Sequence, residues 1–175
     1  EALRGVIGGD FAGWPKAGHN VTPGSSIQAF RDRTGILSMD LPTEAMWEFA
    51  CRAGTTSALS NGKECANPKS SNNDANANEI AWYGKDFGTS GGQYHHEVGT
   101  KLPNAWGLYD MHGNVHEFCL DWLTLGDAYR ATFASDWKTG GVTVDPVGPE
   151  TPTKGPVVRS GDYFYCSAYL RSAAR

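Results

Sequence analysis

Apolar positions along this chain fall in short clusters set apart by glycine, proline and polar stretches, and no cluster keeps one period for long. Ile27 and Phe30 share a helical face behind Ser25 or Ser26 and ahead of Gly35, which predicts a short helix over about 26–33. Leu41-Pro42-Thr43-Glu44 supplies a cap and an acidic first turn for a second helix, with Trp47, Ala50 and Cys51 on one face and Arg52 and Gly54 at its end. The richest window, Asn104 to Trp122, interleaves Trp106, Tyr109, His112, His116, Phe118 and Trp122 with Gly107, Gly113 and Asn114. Those residues break any helix or strand period, so the window reads as folded-in loop and turn. Val157-Val158-Arg159 is a short strand candidate. The remainder reads as loop: a glycine-rich opening over 1–24 anchored by Phe11 and Trp14, a polar surface excursion over 59–78 that exposes Cys65, and a proline- and glycine-rich crossing over 140–156. The class expected is α+β, with two helices, short antiparallel strands and abundant loops.

Composition narrows what such a chain does. At 175 residues it is long enough to bury most of its apolar surface as one domain over 1–175, without help from disulfides. A net charge of −4 and the absence of a lysine- or arginine-rich run argue against a nucleic-acid partner, because phosphate binding needs a clustered positive footprint. No apolar run has the length of a membrane span. Cys51, Cys65, Cys119 and Cys166 form no C-x-x-C pair, so neither a zinc knuckle nor a thioredoxin-type motif is present. Cys51 and Cys119, set among aromatics, read as packed thiols. His95-His96, or His112 with His116, could suggest zinc, but Gly113 and Asn114 interrupt the helical spacing and no H-E-x-x-H context exists.

Asp110 and Glu117 stand one on each side of the Gly113-Asn114 turn. A buried turn must satisfy its carbonyls, and a hard cation would satisfy carbonyls and carboxylates together; the plainer alternative is that both carboxylates cap backbone amides.

The same window, NAWGLYDMHGNVHEFCLDW, closely resembles the N-A-[FW]-G-L-Y-D-M-x-G-N-V-W-E-W-C-x-D-W signature of the formylglycine-generating enzyme, or sulfatase-modifying factor, family. LPTEAMWEFACRAG resembles a second block of that family, L-P-T-E-A-E-W-E-[YF]-A-x-R-x-G, and DPVGPE followed by a Val-x-Arg strand resembles a third. The resemblance implies a C-type lectin-like fold. It also implies a structural Ca²⁺ site built from the Asp110 and Glu117 carboxylates and the carbonyls of Gly113 and Val115. A second Ca²⁺ site of the family is not expected, since no carboxylate stands near Ser90. His116 and Phe118 replace usual tryptophans, and Met46 replaces a glutamate that would complete a capping box with Thr43. Set beside the family pattern, the chain is expected to lack an N-terminal strand region and a final I-G-F-R strand.

The last segment, RSGDYFYCSAYLRSAAR, keeps the frame residues Arg159, Gly161, Arg171, Ser172, Ala173 and Arg175. Between them lie Tyr163, Phe164, Tyr165, Cys166 and Tyr169. Consecutive rings point to both faces of a strand or out of a loop, so some of them must be exposed, and exposed aromatics serve recognition. Core filling is the alternative. Here the resemblance offers two functions. Formylglycine-generating oxidases bind copper through two cysteines five residues apart in this segment, whereas this chain has Cys166 with no partner thiol at that spacing. Variable proteins of diversity-generating retroelements are non-enzymatic and read G-G-S-W-N-N-N-A-N-N-x-R-S-A-N-R. Phe164, Tyr165, Cys166, Ala168, Tyr169 and Ala174 replace asparagines of that pattern, and each is reachable from an AAC codon by changing adenines alone. The resemblance therefore implies a ligand-binding face at Asp162, Tyr163, Phe164, Tyr165, Cys166, Ser167, Ala168, Tyr169 and Ala174, directed at an unknown protein or carbohydrate. Display at a cell surface, in the extracellular space or on a virion is expected from the same source. A static carbohydrate- or protein-binding module of the same fold is the other reading.

Overall fold

The computed structural model describes residues 21, 23–68, 74–84, 94–123 and 155–174. The loop anchored by Phe11 and Trp14, the Ser90 region, and the crossing over 140–154 lie outside the described residues. Helix α1 spans Ser26–Thr34, α2 spans Glu44–Arg52, strand β1 spans Glu117–Trp122 and β2 spans Pro156–Arg159; single 3-10 turns cover Ala77–Glu79 and Ser167–Tyr169. The two strands pair into a small antiparallel sheet, so helix and strand are mixed as the sequence pattern expects.

Contacts gather the chain into two compact units, one of residues 1–45 and 118–157, the other of 46–117 and 158–175. In the first unit α1 is bounded by local chemistry. Ser25 Oγ accepts from Gln28 N at 3.2 Å, and Gly35, at φ 72, ends the helix by donating its N–H to Arg31 O. Ile27 is buried, but Phe30 is 42% exposed, so the predicted shared face carries only one core residue. Entry to α2 has a cap that local sequence does not announce. Glu44 N donates to Asp121 Oδ2 at 2.5 Å, placing a carboxylate on the positive end of the helix. Trp122 packs with Leu41 and Phe118 beside it.

The second unit holds a cluster of Leu59, Ala77, Ile80, Ala81, Tyr83 and Leu170, with Cys65 packed against it. Cys65 is therefore half-buried, a correction to the exposed position expected for it, because the 59–68 excursion turns its apolar residues back onto the core. Asp74 Oδ1 accepts from Asn76 N and Ala77 N, and Tyr83 Oη accepts from Asp74 N at 2.8 Å, so that excursion returns in a fixed turn. Asn104 closes the C-terminal end of α2: its Nδ2 donates to Ala50 O at 2.7 Å and Cys51 O at 3.2 Å, while its Oδ1 accepts from Trp106 N and Leu108 N. Trp106, one of the rings of the folded-in window, is 50% exposed and meets Phe49 edge-on at 4.9 Å. The window from Asn104 is loop and turn up to His116, as predicted, but its end is strand β1. Over Glu117–Trp122 no glycine interrupts the chain, and the residues 119–122 are all buried.

Candidate functional site

The site in the second unit is built on backbone of unusual handedness. Asp110, Asn114 and Ser160 have φ of 56, 64 and 80, and Gly113 and Gly161 have φ of 78 and 71. Only glycine fits at 113, because a Cβ there would lie 2.1 Å from the carbonyl oxygen of Trp82. That approach lets Asn114 N donate to Trp82 O at 2.7 Å while Gly113 N donates to Ser160 O at 2.7 Å. Asn114 then acts as a hub. Its Oδ1 accepts from His96 N at 2.9 Å, its Nδ2 donates to His96 O at 3.2 Å, and its carbonyl accepts from Tyr163 N at 3.0 Å. The 110–114 turn thus holds the start of the 160–174 segment.

That segment is pinned from below and open above. Asp162 Oδ1 accepts from Phe164 N at 2.9 Å and Tyr165 N at 3.1 Å, an Asx-type turn that points the following rings outward. Tyr165 O accepts from Gly84 N at 3.1 Å. Ser167 is fully buried and donates its Oγ to Asn67 O at 3.1 Å, and Leu170 is fully buried in the core cluster. Phe164, Tyr165 and Tyr169 are 45%, 42% and 50% exposed, with Tyr165 lying 5.6 Å from Phe164 and 5.0 Å from Tyr169 between ring centroids. An open cavity of about 240 Å³ lies under these rings, lined by His116, Val158, Arg159, Gly161, Tyr165, Tyr169 and Ala174.

The sequence-predicted face therefore divides. Phe164, Tyr165 and Tyr169 reach solvent; Tyr163, Cys166, Ala168 and Ala174 are half-buried. Asp162 supports the loop from within, and Ser167 is a correction: its side chain is spent on a buried bond and offers nothing to a ligand. His116 joins the cavity, with Nε2 3.5 Å from Asp162 Oδ2 and its ring 6.1 Å from Tyr165. The signal for His116 lay in its departure from the family's tryptophan, but its proximity to residue 162 is a tertiary fact.

Arg159 fixes the cavity floor. It is 2% exposed, lies 5.0 Å over the Trp47 ring, donates to Glu48 Oε2 at 2.7 Å, and also donates to Ser172 O. Beside it Cys51 Sγ lies 3.6 Å from His112 Nε2, a pairing that resembles nucleophile and base. Burial works against that chemistry. It pushes the Cys51 thiol up to about 11 and the His112 imidazole down to about 4, so both are neutral near pH 7 and no thiolate forms. His112 serves instead as a core hydrogen-bonding group: Nδ1 faces Leu170 O at 2.6 Å, and Nε2 accepts from Ser60 N at 3.1 Å.

Of the four residues expected to hold Ca²⁺, three have oxygens with protein partners here. Asp110 Oδ2 accepts from Gly99 N at 2.7 Å, Glu117 Oε2 accepts from Trp47 Nε1 at 2.6 Å, and Gly113 O accepts from Ser160 Oγ at 2.9 Å. Val115 is 47% exposed. Burial first, and the nearby Asp110 charge second, push the Glu117 carboxyl up, against the pull of the Trp47 bond. Each carboxylate thus already accepts from a protein N–H, the backbone amide of Gly99 for Asp110 and the indole of Trp47 for Glu117. Among the described residues no three His, Cys, Asp or Glu side chains gather as a metal group, so such a site would depend on the carbonyls.

Comparisons with known proteins bear on this arrangement. The model of the sulfatase-modifying factor enzyme 1-like domain matches residues 11–175. The formylglycine-generating enzyme of Mus musculus is 36% identical over 143 residues, covering 77% of this chain and 34% of its own length. That of Thermomonospora curvata is 33% identical over 142 residues, covering 77% of this chain and 43% of its own. The chain thus spans about a third to two-fifths of the length of these relatives. Among solved structures, Treponema denticola variable protein 1 is similar at 30% identity with a TM-score of 0.51, covering 78% of this chain and 40% of that one. The fold is the C-type lectin-like one of the formylglycine-generating enzyme type.

Proposed function

Because the chain belongs to the sulfatase-modifying factor enzyme 1-like domain family, we propose that it is a non-enzymatic ligand-binding protein of the variable type. In this reading the 160–174 segment is a diversified face for a protein or carbohydrate ligand, displayed at a cell surface, in the extracellular space or on a virion. The observation that carries it is the division of labour along the segment. Asp162, Ser167 and Leu170 are tied into the fold, while Phe164, Tyr165 and Tyr169 stand out over an open cavity. Exposed rings held on a fixed backbone give contact area at low entropic cost, and they can be exchanged without disturbing the core. Likeness to the Treponema denticola variable protein supports the same reading. Ca²⁺, bound by Asp110, Glu117 and the Gly113 and Val115 carbonyls, would hold the supporting turn and take no part in chemistry.

Sequencing the codons for residues 160–174 across independent isolates, together with any near-copy of that stretch nearby, tests the proposal. Differences confined to adenine positions of the copy are expected. Invariant codons with no near-copy would leave the face as a static binding module.

A second reading rests on the formylglycine-generating enzymes among the relatives. It requires a thiolate pair for copper. Cys51, 3.6 Å from His112 Nε2, is held protonated by burial. Turnover of a cysteine-containing sulfatase peptide with added copper, lost in Cys166→Ser, would favour the oxidase over the binding protein.

A further inference from the structure

Cys65 and Cys166 lie far apart in sequence, and neither has a role in the ligand-binding reading beyond the place of Cys166 on the face. The structure brings their segments side by side. Cys65 Sγ donates to Ser167 O at 3.5 Å, and Ser167 Oγ in turn donates to Asn67 O at 3.1 Å, so residues 65–67 are tied by two hydrogen bonds to Ser167, the residue next to Cys166. Cys166 occupies the extended position just before the 3-10 turn, at φ −75 and ψ 166, and both thiols are free and half-buried. The opposing segment is firm, because Cys65 packs on the core cluster.

We propose that Cys65 and Cys166 form a disulfide that staples the aromatic face to the core excursion when an organic disulfide is present. The inference goes beyond the binding proposal and does not depend on it. Charge and burial set the order of events. Burial first, then the Asp74 carboxylate, pushes the Cys65 thiol up to about 11, with Cys166 also among the groups acting on it. Cys65 is therefore the protonated, resolving partner, and the Cys166 sulfur attacks first, its proton passing to solvent. One sulfur of the organic disulfide bonds to Cys166 and the other leaves as a thiolate. Cys65 then gives its proton to water and attacks the Cys166 sulfur, expelling the second organic thiolate. Two protein thiols are oxidised by two electrons, and one organic disulfide is reduced to two thiols.

The tie would close a loop of about a hundred residues, the range in which a disulfide restrains the unfolded chain most, and it would fix the backbone beneath Tyr165 and Tyr169. Cys51 and Cys119 are fully buried, so they are expected to stay reduced under the same treatment.

The test is to incubate the folded protein with oxidised glutathione, block free thiols, digest with trypsin without reduction, and map the products by mass. A linked pair of peptides 64–69 and 160–171 is expected, with a rise in Tm of about 10 °C that reductant reverses. In Cys65→Ser, Cys166 should stop at the glutathione adduct. Persistence of that adduct on Cys166 in the wild-type protein, with Cys65 blocked as a free thiol, would overturn the proposal. So would a linkage of Cys166 to any other cysteine, or a linked pair seen only after unfolding in urea.

Discussion

Trp47 donates its indole N–H to Glu117 Oε2 at 2.6 Å, and that one bond ties α2 to the carboxylate at the head of β1. Burial already penalises the charged form of Glu117, so a lost donor is not replaced by water. Trp47→Phe is expected to lower unfolding free energy by about 2 kcal/mol, part of it from lost packing. Urea unfolding of Trp47→Phe, Glu117→Gln and the double variant checks it. The cycle should show coupling between the two changes, and strict additivity would mean the bond contributes nothing.

Calcium is expected to stabilise the turn around Asp110. In chelator-stripped protein, added Ca²⁺ should raise Tm, and Asp110→Asn should abolish the response. Asparagine tolerates the left-handed φ of 56 at this position and can still accept from Gly99 N, so the variant removes charge while sparing the backbone. A Tm that is unmoved by either calcium or chelator in the wild-type protein would rule the site out.

Changing Phe164, Tyr165 and Tyr169 together to asparagine should cost about 1 kcal/mol or less, because all three rings are exposed. Leu170→Ala, one residue further on, should cost about 3 kcal/mol, because Leu170 is fully buried in the core cluster. Thermal or urea melts of the two variants separate display from core packing. Collapse of the triple variant would show that the rings hold the fold.

Acid should weaken the protein through His112. Its folded pKa, down at about 4 through burial, lies below the ordinary histidine value of 6.5, so the unfolded chain binds the extra proton in between. Stability from this group is therefore complete above pH 6.5 and is lost as pH falls toward 4, by up to about 3 kcal/mol. Urea titrations at pH 7 and 4.5 on the wild-type protein and His112→Gln check this. The wild-type loss should exceed that of the variant; equal losses would assign the acid sensitivity to carboxylates alone.

Local signals in the sequence were sufficient where the partners are close in the chain. Ser25 and Gly35 bound α1, the Trp47, Cys51 face set α2, and the Val157 strand stands where its β-branched run placed it. The consecutive rings of 163–165 also announced that some of them must reach solvent, since no regular element can bury neighbours on both sides at a surface. Tertiary structure alone decided what depends on distant partners: Asp121 as the cap of Glu44, the Trp82 carbonyl that makes Gly113 obligatory, the burial of Ser167 against Asn67, and the exposure of Trp106. The physical reason is that caps and periodicity act within a turn or two of chain. Which polar atom faces which across 30 or more residues is settled only when the core has closed and every buried donor and acceptor must find its partner.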